Sequence, residues 1–187
     1  MSKRDLILAT ALELFVHQGI GATATAQIAK AAGVATGTLF HHFPSKAQLV
    51  SALYLNVKTQ LAEAMRLEQG EGDLAGRARQ YWDRGMDWAL AHPESLRFMS
   101  LVYHRPGQDG DLKRQAMLEI LGFIPELLRQ GQAEGRLRPV PEDLALEQCQ
   151  GQFMTAAQFF IDHPDKAGDG HYRDAAFDLF WLSMARH

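Results

Sequence analysis

Cysteine is nearly absent: Cys149 is the one residue of its kind. This excludes an intrachain disulfide and leaves no thiolate set for a structural zinc site, so a reducing compartment fits. No apolar run approaches the roughly 18 residues that a membrane span needs. Behind Met1-Ser2-Lys3-Arg4-Asp5 there is no apolar leader with a small-residue cleavage site, so a secretory signal is not expected and a cytoplasmic location is. Phosphate-cradling glycine loops, dinucleotide fingerprints and nucleophile elbows are missing as well. Eight histidines are present. His92, His104, His163 and His171 lack the i, i+4 pairing of a helical metal site, and the adjacent His41 and His42 point to different sides of a helix. No metal, cofactor or catalytic residue is expected, and Cys149 reads as a buried thiol rather than a nucleophile.

Charge of one sign is also scarce. The net charge of −3 argues against a nonspecific nucleic-acid binder. Its distribution says more. Lys3, Arg4, Lys30 and Lys46 outweigh Asp5 and Glu13 in the first fifty residues, and the acidic surplus lies in the remainder. That asymmetry suits phosphate contact at the N-terminal end alone. With 187 residues, 47% hydrophobic and 22% charged, the chain has material for a substantial core and does not read as disordered.

The hydrophobic spacing is helical throughout, with no useful β-alternation, so the expected fold is all-α. Ile7, Ala11, Leu14 and Phe15 form one stripe of a first helix ending near His17. Thr23 is the expected N-cap of a second helix running to Ala32, with Ile28 and Ala29 inward. Gly33 supplies a turn, with Val34 plugging into the small core. A third, very short helix follows from Ala35 to about His42, with Leu39 and Phe43 buried. Two short helices about a glycine turn are the sequence form of a helix-turn-helix, whose second helix lies in the DNA major groove. Ser45, with Gln48 three residues on, has capping-box spacing and opens a fourth helix expected to reach about Gln69. Gly70 to Asp73 reads as a joint. Further helices are expected over 74–91, 93–104, 111–134, 141–162 and 172–186. Arg105-Pro106-Gly107 forms a break, and Pro125 kinks its helix near Leu121.

A recognition helix must approach bases closely, and Ala35, Thr36, Gly37 and Thr38 are all small. Threonine hydroxyls can bond to base edges or phosphates, and the methyls of Thr and Ala can touch a thymine methyl. Phe40 and His41 are placed to lie against sugar and backbone. Lys46, in the first turn of the fourth helix, adds a cation to an anion-attracting helix end. The same spacing also suits a small helical subdomain whose Gly-Val turn only packs. In that alternative the chain is a small-molecule-binding protein or enzyme.

The segment from Arg4 to Lys46 resembles the N-terminal domain of TetR/AcrR-type transcriptional regulators. The matching residues are Arg4, Ile7-Leu8, Ala11, Leu14-Phe15 and Gly19, then Thr23, Ile28-Ala29 and Ala32-Gly33-Val34, and finally Gly37-Thr38-Leu39, His41, Phe43 and Ser45-Lys46. The resemblance implies an N-terminal three-helix DNA-binding domain, placed at 1–48, and a C-terminal helical ligand-binding and dimerisation domain at 49–187. It implies a homodimer, usually a repressor, that leaves double-stranded operator DNA when a small molecule binds. DNA contacts carry over to Thr25, Thr36, Thr38, Phe40, His41 and Lys46, with Ala35 near the groove. Three positions depart from the family pattern. Ala35 replaces a common serine cap, Thr36 a frequent lysine, and Phe40 the usual tyrosine. The hydrogen bond lost at Phe40 is worth about 0.5–1.5 kcal/mol.

The C-terminal half is rich in aromatic and methionine side chains that read first as core. With the resemblance, a largely apolar effector is expected among Trp82, Met86, Tyr103, Phe123 and Phe153. Helices 141–162 and 172–186 are the expected dimer elements. The first offers small residues (Gly151, Ala156, Ala157), and the second an apolar stripe of Phe177, Phe180, Trp181 and Met184. The same faces also fit packing within one chain.

Overall fold

A computed structural model describes residues 2–67, 72–105 and 110–186. Among these, eleven α-helices are present: α1 (Lys3–Gln18), α2 (Thr25–Ala31), α3 (Thr36–His42), α4 (Lys46–Met65), α5 (Leu74–Ala91), α6 (Pro93–Tyr103), α7 (Gly110–Gln115), α8 (Phe123–Ala133), α9 (Glu142–Asp162), α10 (Pro164–Ala167) and α11 (Gly170–Met184). A π-helical turn over Ala116–Ile120 precedes α8, and the only extended pairing among the described residues is an isolated bridge between Leu137 and Ala185. The chain is all-α. None of the helices is long and apolar enough to cross a membrane.

Contacts divide the chain into two units, one of Met1–Lys58 with Glu94–Arg114 and one of Thr59–Pro93 with Gln115–His187. The division falls inside α4, between Lys58 and Thr59, and places α6 with the first unit. Gly70 and Glu71 of the expected joint, and Pro106 and Gly107 of the expected break, lie outside the described residues. So does Gln69, and α4 closes earlier, at Met65.

In the first unit α1, α2 and α3 pack on one another around Ile7, Phe15, Ile28 and Leu39, none of which is exposed. Phe15 stacks on Phe98 of α6 at 6.0 Å between centroids. Ser2 caps α1 through a full capping box with Asp5, whose carboxyl the Ser2 bonds hold below its ordinary range. Thr23 is not the cap of α2. That position is Ala24, which offers no side-chain bond. Thr23 is fully buried, and its hydroxyl donates to the Gly19 carbonyl at 2.8 Å and the Leu14 carbonyl at 3.3 Å. The last carbonyls of a helix lack intrahelical donors, so a buried hydroxyl beside them is drawn there.

In the second unit α5, α8, α9 and α11 pack together, with Leu74, Leu128, Leu137, Ala145 and Met184 forming one core cluster. The expected kink is present: Leu121 leaves helical geometry four residues before Pro125, whose ring would meet that carbonyl in a regular helix. The Leu121 N–H donates instead to the Ala116 carbonyl, five residues back. The short α10, within the turn expected between α9 and α11, was not legible in the spacing. The Phe177 and Met184 stripe of α11 is buried, and Phe180 stacks on Trp82, so this stripe packs within the unit rather than outward.

Gly131 on α8 is required by close approach. A Cβ there would stand 2.6 Å from Leu137 Cγ and 2.7 Å from Leu74 Cδ2. Alanine gains about 1 kcal/mol in helix propensity, whereas overpacking costs about 1–3 kcal/mol. Gly131→Ala is therefore expected to lower the midpoint in urea unfolding, and an unchanged or raised midpoint would contradict this packing.

Candidate nucleic-acid interface

Gly33 has φ of +64°, the left-handed geometry that glycine adopts without penalty, and it turns the chain from α2 into α3. Leu39 and the following Phe43 are the inward anchors of α3. This leaves Ala35, Thr36, Gly37 and His41 exposed, Phe40 42% exposed and Thr38 half-buried. Val34 is half-buried in the turn. The outward surface of α3 is thus the run of small and hydroxyl side chains, ending in an aromatic ring and an imidazole. Ala35 starts α3 without a side-chain hydrogen bond, so its first N–H groups lack that acceptor.

Beside α3 lies an open cleft of about 510 Å³ lined by residues 21–25, Phe40, Pro44, Ser45 and Lys46. It brings together three of the expected contact residues, Thr25, Phe40 and Lys46. Ser45 accepts from the Gln48 N–H at 3.2 Å and so caps α4 as its spacing predicts. Lys46 Nζ donates to the Gly21 carbonyl at 3.0 Å, fixing the ammonium at the cleft rim. The Arg4 guanidinium lies 5.6 Å from the Phe43 ring and ties α1 to the end of α3. Backbone from Gly21 to Ala24 is part of this concave surface. Gly21, Ala22 and Ala24 carry no polar side chain, and the Thr23 hydroxyl is turned to the Gly19 carbonyl, so this surface leaves no signal in the sequence.

Trp82, Met86, Phe123 and Phe153, four of the five expected effector residues, belong to the second unit, where Trp82 and Phe153 touch. Trp82 is buried, edge-on to Phe153 at 5.9 Å and stacked on Phe180 at 4.7 Å. Met86 is fully buried, and Phe123 stacks on Tyr81 at 4.6 Å. Gly85 lets the Phe153 ring close onto α5, with Cε2 3.0 Å from where a Cβ would stand. Tyr103 belongs to the first unit, where Lys113 Nζ donates to its carbonyl at 2.6 Å. The Trp82 indole N–H and the Gln150 amide nitrogen are buried without an acceptor among the described residues. Burial pushes the Cys149 thiol up to about 12, away from nucleophilic use. Among the described residues no group of three or more His, Cys, Asp or Glu is placed to hold a metal ion.

A family model described as "Bacterial regulatory proteins, tetR family" matches residues 7–53. A crystal structure from Shewanella sp. PV-4, assigned to the tetR family of transcription regulators, is 46% identical, covers 100% of both chains and superposes with a TM-score of 0.95. The nucleoid occlusion factor SlmA of Vibrio cholerae is 26% identical over 98% of this chain and 93% of its own length. The "Probable acrEF/envCD operon repressor" of Escherichia coli K12 is 26% identical over 87% of this chain and 69% of its own.

Proposed function

The chain belongs to the TetR family of bacterial regulatory proteins and is a DNA-binding transcriptional regulator rather than an enzyme, and from that premise we propose that it is a ligand-responsive repressor that binds a near-palindromic operator as a homodimer. The observation that carries the reading is the outward run of α3. Ala35, Thr36 and Gly37 are exposed and Thr38 half-buried, beside a cleft whose rim holds Lys46. In this reading residues 1–48 are the reading head and 49–187 the effector and dimer region.

Thr36 and Thr38 meet base edges or phosphates, with Ala35 close to the groove. Phe40 and His41 lie along the sugar-phosphate backbone, and Thr25 and Lys46 hold the neighbouring phosphates. Because Phe40 has no hydroxyl, its part is van der Waals contact alone. Repression is favoured over activation by the operon repressor of Escherichia coli among the relatives. The protein would act in the cytoplasm, where its operator lies.

The dimer forms through 141–162 and 172–186. Support comes from the outward row on these helices, Leu144 and Phe159 on α9 and Tyr172, Leu179 and Leu182 on α11, all large apolar side chains left exposed. The effector is a largely apolar molecule held at Trp82, Met86, Phe123 and Phe153, and Tyr103 remains part of the proposed set. Unsatisfied donors at Trp82 and Gln150 support a ligand that offers an acceptor. Binding releases DNA by favouring a dimer form whose heads no longer match the operator, which requires unequal affinity for the two forms.

In vitro selection from random duplex DNA tests the central claim. A recovered near-palindrome is expected, with half-sites about 34–36 Å apart or a multiple of that. Recovery of no preferred sequence would overturn it.

A further inference from the structure

The chemistry of α3 narrows what a DNA-binding regulator can read with it, given the reading above of α3 as the groove helix. Base pairs are told apart most strongly by long polar side chains: Arg or Lys on guanine, Asn or Gln on adenine, Asp or Glu on cytosine. None of these six types occurs from Ala35 to Pro44. The N-terminal residues of a recognition helix are the ones that meet base edges. Here they are Thr36 and Gly37, both exposed. His41 and His42 stand in the last turn, away from that end. The exposed amide of α2, Gln27, is held to Gln18 of α1 at 3.0 Å.

Gly37 supplies a second, independent observation. Its φ is not positive, so its backbone geometry does not call for glycine. A Cβ there would meet no atom within 4 Å, so the packing of its own chain does not call for glycine either. Glycine inside a helix is less favourable than alanine. A residue that weakens the helix and serves nothing in the free protein is explained by what approaches from outside.

We infer that α3 reads its half-site through thymine methyl groups. The missing side chain of Gly37 gives a methyl room against the helix backbone, and the Thr36 methyl lies beside it. A threonine hydroxyl gives and accepts hydrogen bonds alike, so it separates bases poorly. The thymine 5-methyl is the apolar mark of the major groove. The Thr36 methyl and the Gly37 Cα are apolar groups on the exposed start of α3.

The duplex recovered from random DNA by the wild-type protein is resynthesised with deoxyuridine at one symmetric pair of half-site thymidines at a time. Deoxyuridine keeps the hydrogen-bonding groups of thymidine and lacks its methyl. Binding is followed by fluorescence anisotropy. At one pair or more, affinity should fall about tenfold, the effect of two methyl groups withdrawn from contact. Thr36→Ser drops the side-chain methyl and Thr36→Val drops the hydroxyl. On the thymine duplex the serine variant should bind about three- to tenfold more weakly than the valine variant. On the sensitive uracil duplex that gap should close. Gly37→Ala should melt at the wild-type temperature or above it, while its affinity for the thymine duplex falls about tenfold or more. A recovered half-site without thymine, or one that ignores the methyl at every position, overturns the inference and leaves the operator reading in place. Equal binding of the thymine duplex by the two Thr36 variants does the same. So does a Gly37→Ala protein that binds as tightly as wild type, or one that fails to fold, since the glycine would then serve internal packing. Recovery of no preferred sequence removes α3 from the groove, and this inference with it.

Discussion

Thr36→Glu is expected to abolish specific retardation of operator DNA while leaving the fold intact. Thr36 is the first residue of α3 and is exposed, so the new carboxylate displaces no packed atom. A carboxylate in the first turn of a helix is favoured by the unpaired N–H groups, by about 0.3–1 kcal/mol. This helix has no side-chain cap at Ala35 to compete for them. Stability should therefore hold or rise slightly. Against DNA the sign reverses. A negative charge about 5 Å from a phosphate costs on the order of 1–3 kcal/mol at a partly screened interface. Two heads per dimer double that, so affinity falls roughly thirtyfold to ten-thousandfold. The residual binding should be weak, indifferent to sequence and steeply salt-dependent. Gel shifts beside thermal melts read both sides. Undiminished operator affinity in a folded Thr36→Glu protein would remove α3 from the groove.

That prediction rests on features legible in the sequence. Leu39 on α3 and Phe43, one turn further on at its C-cap, are buried, and fixing this pair inward turns Thr36, Gly37, Phe40 and His41 outward. The positive φ of Gly33 follows from the need to turn sharply between two short helices. The break at Leu121 follows from Pro125, because a missing N–H and a ring clash act at a fixed distance along the chain.

What stayed hidden has physical causes too. Thr23 has the chemistry of a cap, but the carbonyls that claimed it belong to the end of another helix, and pairing across a loop leaves no trace in local spacing. Lys58 interrupts an otherwise apolar stripe of α4, and a lysine at such a position reads as a solvent contact. Its burial arises from tertiary packing alone.

α11 shows the same limit most clearly, and it sets up the second large effect. This helix carries two apolar stripes. Phe177, Phe180, Trp181 and Met184 form one, the stripe whose spacing marks it as a dimer face. It packs within the unit instead, with Phe177 and Met184 buried and Phe180 stacked on Trp82. The second stripe, with Leu179 74% and Leu182 50% exposed, turns outward. A helix with apolar residues on two sides has little net amphipathicity, so periodicity cannot say which side faces its own chain. The double variant Leu179→Glu, Leu182→Glu separates the two faces. Charged groups on an exposed face cost the isolated subunit within about 0.5 kcal/mol, so helicity by circular dichroism should persist. Across a two-fold interface the same carboxylates stand opposite their own copies, desolvated and mutually repelling. Light scattering should then report a single-chain mass where wild type reports two chains. Operator affinity should fall by about 10²–10⁴, because each head loses the effective concentration that its twin supplied. A substitution of Phe177 by glutamate would instead unfold the unit and lose helicity with it. A folded double variant that remains dimeric would move the interface off α11.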